Sequence, residues 1–443
     1  MHNRGSRTFR RLSKMNLISG KILDREQSLE YLNNLKEIIC NTLTKDTLSV
    51  QHVITACDIL SVSLNEKEHL PLLLVLGITE EKAKKELALV KHMMCREYLE
   101  SRIEIELSGK AGENSEFTPF GEERRVKQAW KPLGVLLHIA AGNVDALPVF
   151  SVIEGLLTGN INILKLPGTD DGLSIAIIQE LIKIQPEIAN YVFVFDYPSE
   201  DIESIQKLAK VSDAIVIWGG DSAVRAVRAM ADPDTRVIEW GHKISFAYVS
   251  GDNISDEELK GIAYNMCDTE QLFCNSCQGI YLDTDDYSEL IQFGERFMAI
   301  LDSVSRSLPG NIDAFMQAKR TLELKVEELE SVNLNKKVFH TDNGSVIVFS
   351  NKVLEPSYMF RNCWIKPLAK EFLLYELLKY KNHLQTVALV CGNTKRREFE
   401  EILLKTGIVR ITSGQNMSKS YCGIPHDGEF PLQRYMKKVS YEY

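Results

Sequence analysis

The stretch "LGVLLHIA" (Leu133–Ala140) is a short apolar run followed by one of helical spacing, "ALPVFSVIEGLL" (Ala146–Leu157). The pattern then repeats. "INILKL" (Ile161–Leu166) precedes "GLSIAIIQELIKI" (Gly172–Ile184), "YVFVFD" (Tyr191–Asp196) precedes "DIESIQKLAK" (Asp201–Lys210), and "AIVIW" (Ala214–Trp218) precedes "SAVRAVRAM" (Ser222–Met230). Near-continuous apolar runs suit strands buried on both faces. Their alternation with helices predicts parallel strands joined by right-handed crossovers, a doubly wound α/β sheet. No strict Gly-x-Gly-x-x-Gly follows the first strand, so any nucleotide site here is built another way.

Downstream lies a second α/β set. Strands are expected at "ISFAYVS" (Ile244–Ser250), "GIYLDT" (Gly279–Thr284), "SVIVFS" (Ser345–Ser350), "CWIKPLA" (Cys363–Ala369), "QTVALVCG" (Gln385–Gly392) and "IVRITSG" (Ile408–Gly414). Helices are expected over Asp256–Cys267, Tyr287–Arg306, Asp313–Val332 and Lys395–Lys405. Upstream, residues 15–106 read as mostly helical. The expected organisation is a helical N-terminal region (1–106), a nucleotide-binding α/β domain (107–242), a catalytic α/β domain (243–413) and an extended, polar C-terminal docking arm (414–443).

The 443 residues allow two or three domains with large cores, and 44% hydrophobic with 26% charged residues is a globular balance. A net charge of -9 argues against nucleic acid as a partner. Nine cysteines without a repeating spacing suggest a reducing, cytoplasmic setting. The longest apolar run, Leu70–Ile78, is far short of the ~18 residues of a membrane span. The basic opening, residues 1–14, lacks the apolar segment of a signal peptide. It reads as a disordered arm or an extension before an initiator at Met15, with a transit peptide as the lesser alternative.

Chemistry concentrates in a few places. In "EQLFCNSCQGIYLDT" (Glu270–Thr284), Cys274 and Cys277 stand three apart. A structural zinc site needs about four Cys or His ligands, and no second Cys-x-x-Cys exists. A dithiol redox pair normally opens a helix, whereas this one precedes a strand. Two inert buried thiols or one nucleophilic thiol are the favoured readings, with a dithiol redox pair and a zinc site as the lesser alternatives. Asn143, in "AAGNVDALP" (Ala140–Pro148), follows the first strand and offers an amide to an oxyanion, or only caps a helix. Lys165 ends the second strand, suited to a phosphate or ribose hydroxyl, or is an ordinary surface lysine. Gly219 and Gly220 precede Asp221 and Ser222 at a helix start, where backbone N–H groups can receive phosphate; a plain turn is the alternative. Glu239, in "VIEWGHKISF" (Val237–Phe246), is a candidate proton relay or a solvated loop carboxylate.

In order, Asn143, Lys165, Gly219-Gly220-Asp221-Ser222, Glu239-Trp240-Gly241-His242-Lys243 and Cys274 resemble the aldehyde dehydrogenase superfamily. Its Glu-x-Gly-x-Lys stretch lies some 35 residues before the nucleophilic cysteine, as Glu239 and Cys274 do here. The finer resemblance is to the LuxC-like acyl-CoA reductases, the reductase component of bacterial fatty-acid reductase systems. "LFCNSCQ", "HLQTVALVCG" (His383–Gly392) and the ending "GIVRITSGQNMSKSYCGIPHDGEFPLQRYMKKV" carry it. Two departures stand out. Cys277 occupies a place where the family often has proline, and Leu272 the place of a common superfamily glutamine.

The resemblance implies an aldehyde dehydrogenase-like fold and reduction of an acyl-CoA or acyl-enzyme thioester to the aldehyde through an S-acyl cysteine. Cys274 would be the nucleophile, with Cys277 a bystander, Asn143 an oxyanion donor and Glu239 a relay or structural residue. Lys165, Gly168, Thr169, Gly219, Gly220, Ser222 and Gly241 would hold the cofactor. Gly168 stands where NAD-preferring members carry a glutamate, so NADPH is expected, with NADH possible. Arg124, Arg125, Lys127 and Lys131 are further candidates for CoA or nucleotide phosphates, or simply a solvated surface. An acyl-protein synthetase partner is implied, and a homo-oligomer is expected. The alternatives are an aldehyde dehydrogenase that forms acids, and an inactive subunit of a multi-enzyme complex.

Overall fold

The computed structural model describes residues 14–45, 47–64, 66, 70, 80–107, 114–140, 147–170, 172–251, 254–308, 310, 314–331 and 336–442. Two compact units emerge, Met1–Gly241 with Cys422–Tyr443, and His242–Tyr421. Leu70–Ile78 falls largely outside the described residues, as do residues 1–13 and Asn143. Among the described residues no helix is long and apolar enough to cross a membrane.

The first unit opens with a hairpin of two short strands, β1 (Asn16–Ile18) and β2 (Lys21–Leu23). Among the described residues five helices follow: α1 (Arg25–Asn33), α2 (Leu35–Leu43), α3 (Val50–Ser63), α4 (Glu80–Met94) and α5 (Arg96–Leu107). Next come β3 (Asn114–Phe117), β4 (Val126–Pro132) and the predicted alternation. This runs β5 (Val135–Ile139), α6 (Leu147–Leu157), β6 (Ile161–Lys165), α7 (Leu173–Ile184), β7 (Val192–Phe195), α8 (Ile202–Lys210), β8 (Ala214–Trp218), α9 (Asp221–Met230) and β9 (Arg236–Trp240). The sheet order is β2-β1-β7-β6-β5-β8-β9, with β5 to β9 mutually parallel. Strands β6 and β7 are buried at every residue, which explains their unbroken apolar runs. The reading of residues 15–106 as mostly helical leaves out the hairpin, whose first strand pairs antiparallel with β7.

The second unit contains β10 (Ile244–Ser250), α10 (Asp256–Thr269), β11 (Cys277–Leu282), α11 (Tyr287–Ser307), α12 (Ala314–Glu330), β12 (Lys336–Thr341) and β13 (Gly344–Phe349). It continues with β14 (Asn362–Pro367), α13 (Lys370–Leu378), β15 (Leu384–Cys391), α14 (Asn393–Lys405) and β16 (Arg410–Thr412). Its sheet order is β12-β13-β14-β11-β10-β15-β16, parallel except where β12 pairs with β13. Helix α10 starts on a capping box: the Ser255 hydroxyl accepts the Glu258 N–H, and the Glu258 carboxylate accepts the Ser255 N–H.

The C-terminal segment folds onto the first unit. After the one-turn helix α15 (Pro431–Arg434), β17 (Met436–Tyr441) pairs antiparallel with β4, giving a three-stranded sheet of order β17-β4-β3.

Candidate active site

In the first unit the strand order reverses between β5 and β8, because β6 and β7 lie to one side and β8 and β9 to the other. Outside the carboxyl ends of parallel strands, such a reversal leaves the crevice where ligands bind. Several residues singled out in the sequence lie at these ends. Gly219 and Gly220 follow β8 and open α9, whose first backbone N–H groups lack intrahelical partners. The Gly219 N–H donates to the Trp240 carbonyl at 3.2 Å, tying the ends of β8 and β9. Gly219 itself is close-packed: a Cβ there would stand 3.1 Å from the Ala223 methyl. By contrast, a Cβ on Gly168, Gly220 or Gly241 would find no described atom within 4 Å. Among the described residues these three glycines leave room at the strand ends, as a cradle for a nucleotide requires. Asp221 and Ser222 are exposed on the first turn of α9, and the Asp221 carboxylate competes with any anion for that helix end.

Lys165, the last residue of β6, is buried, and its Nζ donates to the Ser199 hydroxyl at 3.0 Å. Burial lowers its pKa, with Asp196 and Glu200 opposing the fall. Two ammonium protons remain for a ligand. Thr169 is exposed beside Gly168. Glu239 sits on β9 rather than in a loop, and the Arg228 guanidinium of α9 grips both its oxygens. Arg124 pairs with Glu122 and Glu442, and Arg125 with Glu116, so carboxylates already offset part of that basic stretch. The Pro-His-Asp-Gly segment brings His426 edge-on to two rings at these strand ends, Trp218 at 5.0 Å and Trp240 at 4.9 Å.

In the second unit, Cys274 precedes β11 and so lies at the amino ends of the parallel strands. The Cys274 side chain is half-buried on loop 272–276. That loop is closed at its base. Gln271 Nε2 donates to the Cys277 carbonyl at 3.0 Å, and Gln278 Nε2 returns a bond to the Gln271 carbonyl at 2.9 Å. Inside the loop, Phe273 N–H meets the Ser276 hydroxyl at 3.1 Å, and Ser276 N–H meets the Phe273 carbonyl at 2.9 Å. The Ser245 hydroxyl of β10 donates to the Cys274 carbonyl at 2.7 Å.

Cys277 is fully buried as the first residue of β11. Its N–H donates to Asn265 Oδ1 at 2.8 Å, and burial pushes its thiol pKa far up. A thiol so held is a core side chain and a poor nucleophile.

Sequence reasoning missed the residues that hold this loop. Glu270 and Gln271 have φ of 48° and 61°, and Met359, Phe360 and Arg361 have 57°, 48° and 70°. Each such non-glycine residue costs on the order of 1–3 kcal/mol and needs its surroundings to fix it. Glu270 and Gln271 stand in the stretch that drew attention to the cysteines, yet nothing in their residue types signals a left-handed backbone.

The fold is that of aldehyde dehydrogenases. The glyceraldehyde-3-phosphate dehydrogenase GapN from Methanocaldococcus jannaschii, solved in complex with NADP, superposes with a TM-score of 0.72 at 11% identity, over 97% of this chain and 98% of that one. The betaine aldehyde dehydrogenase from Staphylococcus aureus does so with 0.72 at 12%, over 99% and 97%. A long-chain acyl-protein thioester reductase from Vibrio harveyi is 25% identical over 377 residues, 84% of this chain and 76% of that protein. Residues 45–438 match the family described as acyl-CoA reductase (LuxC). The chain therefore belongs to the acyl-CoA reductase (LuxC) family.

Proposed function

We propose that this protein reduces a long-chain acyl thioester to the fatty aldehyde, with NADPH as reductant and Cys274 as the acyl-accepting nucleophile. The observation that carries this reading is the contrast between two thiols three residues apart. Cys274 is half-buried on a loop tied down at both ends, while Cys277 is sealed in the core. Proximity catalysis needs a nucleophile held in place yet reachable, and only the first thiol meets both conditions.

The Cys274 thiolate attacks the acyl carbonyl, and the donor's sulfur leaves as a thiolate, so the acyl group passes to Cys274. The Asn143 amide and a backbone N–H near Cys274 are the proposed oxyanion donors, each typically worth ~2.7–4 kcal/mol. When bound, NADPH supplies a hydride to the acyl carbon. Collapse of the resulting thiohemiacetal on Cys274 releases the aldehyde and restores the thiolate, with no water consumed. Lys165, Ser222 and the three open glycines, Gly168, Gly220 and Gly241, are the proposed cofactor contacts, with Gly219 shaping the turn and Thr169 beside it. Gly168 puts no carboxylate against a 2′-phosphate, which supports NADPH over NADH.

The Glu239–Arg228 pair supports reduction over acid formation. A carboxylate gripped on both oxygens is poorly placed to activate the water that an acid-forming dehydrogenase needs. The donor is either a coenzyme A ester or an acyl group carried on a partner protein, the second in keeping with the name of the Vibrio harveyi relative, a long-chain acyl-protein thioester reductase. With long-chain acyl-CoA and NADPH, one free thiol and one oxidised cofactor should appear per aldehyde. Accumulation of the acid in place of the aldehyde would overturn the reading.

A further inference from the structure

The loop that presents Cys274 hangs from Gln271, and Gln271 does not hold its own conformation. It and Glu270 are consecutive left-handed residues, a backbone state that side chains with a Cβ disfavour. Helix α10 ends there, and its last residue reaches Gln271 through its side chain only, the Thr269 hydroxyl accepting the Gln271 N–H at 3.2 Å.

What fixes them is a second left-handed run, Met359 to Arg361, just before β14. The Phe360 N–H donates to the Glu270 carbonyl at 3.0 Å. Arg361 N–H donates to Gln271 Oε1 at 2.9 Å. The Arg361 guanidinium meets both oxygens of the Glu270 carboxylate, Nη2 at 2.8 Å and Nε at 3.3 Å, and its Nη1 donates to the Ser305 carbonyl of α11 at 3.0 Å. Gln271 Nε2 completes the circuit on the Asn362 carbonyl at 3.1 Å. Each strained segment supplies the partners that hold the other.

Both side chains of the ion pair are almost wholly buried, at 5% and 6% exposure. A buried ion pair is weak evidence for stability, since apolar replacements of both partners often hold a fold as well. Such a pair is better explained by the one conformation it selects. Here that conformation is the entry to the Cys274 loop.

We propose that Arg361, through Glu270 and Gln271, is a positioning residue for Cys274: it sets the backbone from which the nucleophilic thiol is presented. This rests on the reading of Cys274 as the acyl acceptor. A fold-stabilising role alone is the competing explanation.

Two variants separate these. Arg361→Lys keeps the charge but loses the fork, since a lysine cannot grip both Glu270 oxygens and reach Ser305. The double variant Glu270→Leu with Arg361→Met removes the pair without leaving a buried charge. In each, the rate of iodoacetamide labelling is followed by peptide mass at Cys274 and at the exposed Cys40 as internal control. Acyl transfer, the KM for NADPH and the melting temperature are measured alongside.

The expected result is a fall of at least 10-fold in Cys274 labelling and in acyl transfer. Cys40 labelling and the KM for NADPH should hold within 2-fold. Cys274 labelling within 2-fold of wild type, in whichever variant folds, would overturn the proposal, whatever happens to the melting temperature. Labelling by iodoacetamide does not depend on acyl chemistry. If Cys274 proved not to be the acyl acceptor, the function would fall while this test of Arg361 on the Cys274 loop still returned its own answer.

Discussion

Ser245 Oγ donates to the Cys274 carbonyl at 2.7 Å and accepts the Thr386 N–H at 3.0 Å. One buried hydroxyl on β10 thus joins the Cys274 loop to the start of β15. Ser245→Ala should leave a buried N–H unpaired, at a cost of ~1–3 kcal/mol. It should also slow Cys274 labelling, because the loop loses its tie to the sheet. Urea unfolding and iodoacetamide rates on the same sample check both. An unchanged labelling rate would show that the Gln271 and Gln278 bonds hold the loop alone.

Cofactor choice is open to a direct test at Gly168. A Cβ there meets no described atom within 4 Å, so Gly168→Glu starts its side chain without a close contact. The kcat/KM ratio of NADH over NADPH should rise by about 10-fold, since a carboxylate repels the 2′-phosphate and accepts from ribose hydroxyls. A ratio that does not move would take Gly168 out of the cofactor site.

The parallel strands were legible in the sequence because burial on both faces leaves no polar alternation, as in "INILKL" and "YVFVFD". Helix α11 was legible to within a residue of its ends, and α12 to within two. The hairpin of β1 and β2 was not, since two strands of three residues carry no period to read. Strand β17 hid in a polar tail because it pairs through its backbone at a sheet edge, where most of its side chains stay partly exposed. The left-handed runs at Glu270 and Met359 were illegible for a different reason. Glycine or asparagine announces such a backbone; glutamate, methionine and arginine do not. The Glu239–Arg228 pair joins a strand to the helix before it, and neither residue's type names the other as partner.

Inside the first unit, His138 should impose a specific pH dependence on stability. Its ring meets the Ser151 hydroxyl at 2.7 Å and Asn162 Oδ1 at 3.0 Å, and burial holds its pKa down at about 4, with the Asn162 bond opposing. An unfolded histidine titrates near ~6.5. Between these values the unfolded chain binds more protons, so stability falls as the pH drops through that window. The contribution is complete above pH ~6.5 and is lost by pH ~4, a change of about 3 kcal/mol. In urea titrations, the difference between wild type and His138→Gln should carry this slope, other groups cancelling. A flat difference would mean that His138 takes up its proton at the same pH in the folded and the unfolded chain.

The central claim is that Cys274 carries the acyl group, and one measurement reaches it directly. The enzyme is incubated with a long-chain acyl-CoA and no reductant, and its peptides are weighed before and after hydroxylamine. The account predicts a hydroxylamine-labile acyl mass on the peptide holding Cys274. It should be abolished by Cys274→Ser and retained in Cys277→Ser, where the cost is at most a packing penalty of ~1 kcal/mol. Acyl mass on another residue, or labelling that survives Cys274→Ser and disappears in Cys277→Ser, would contradict it.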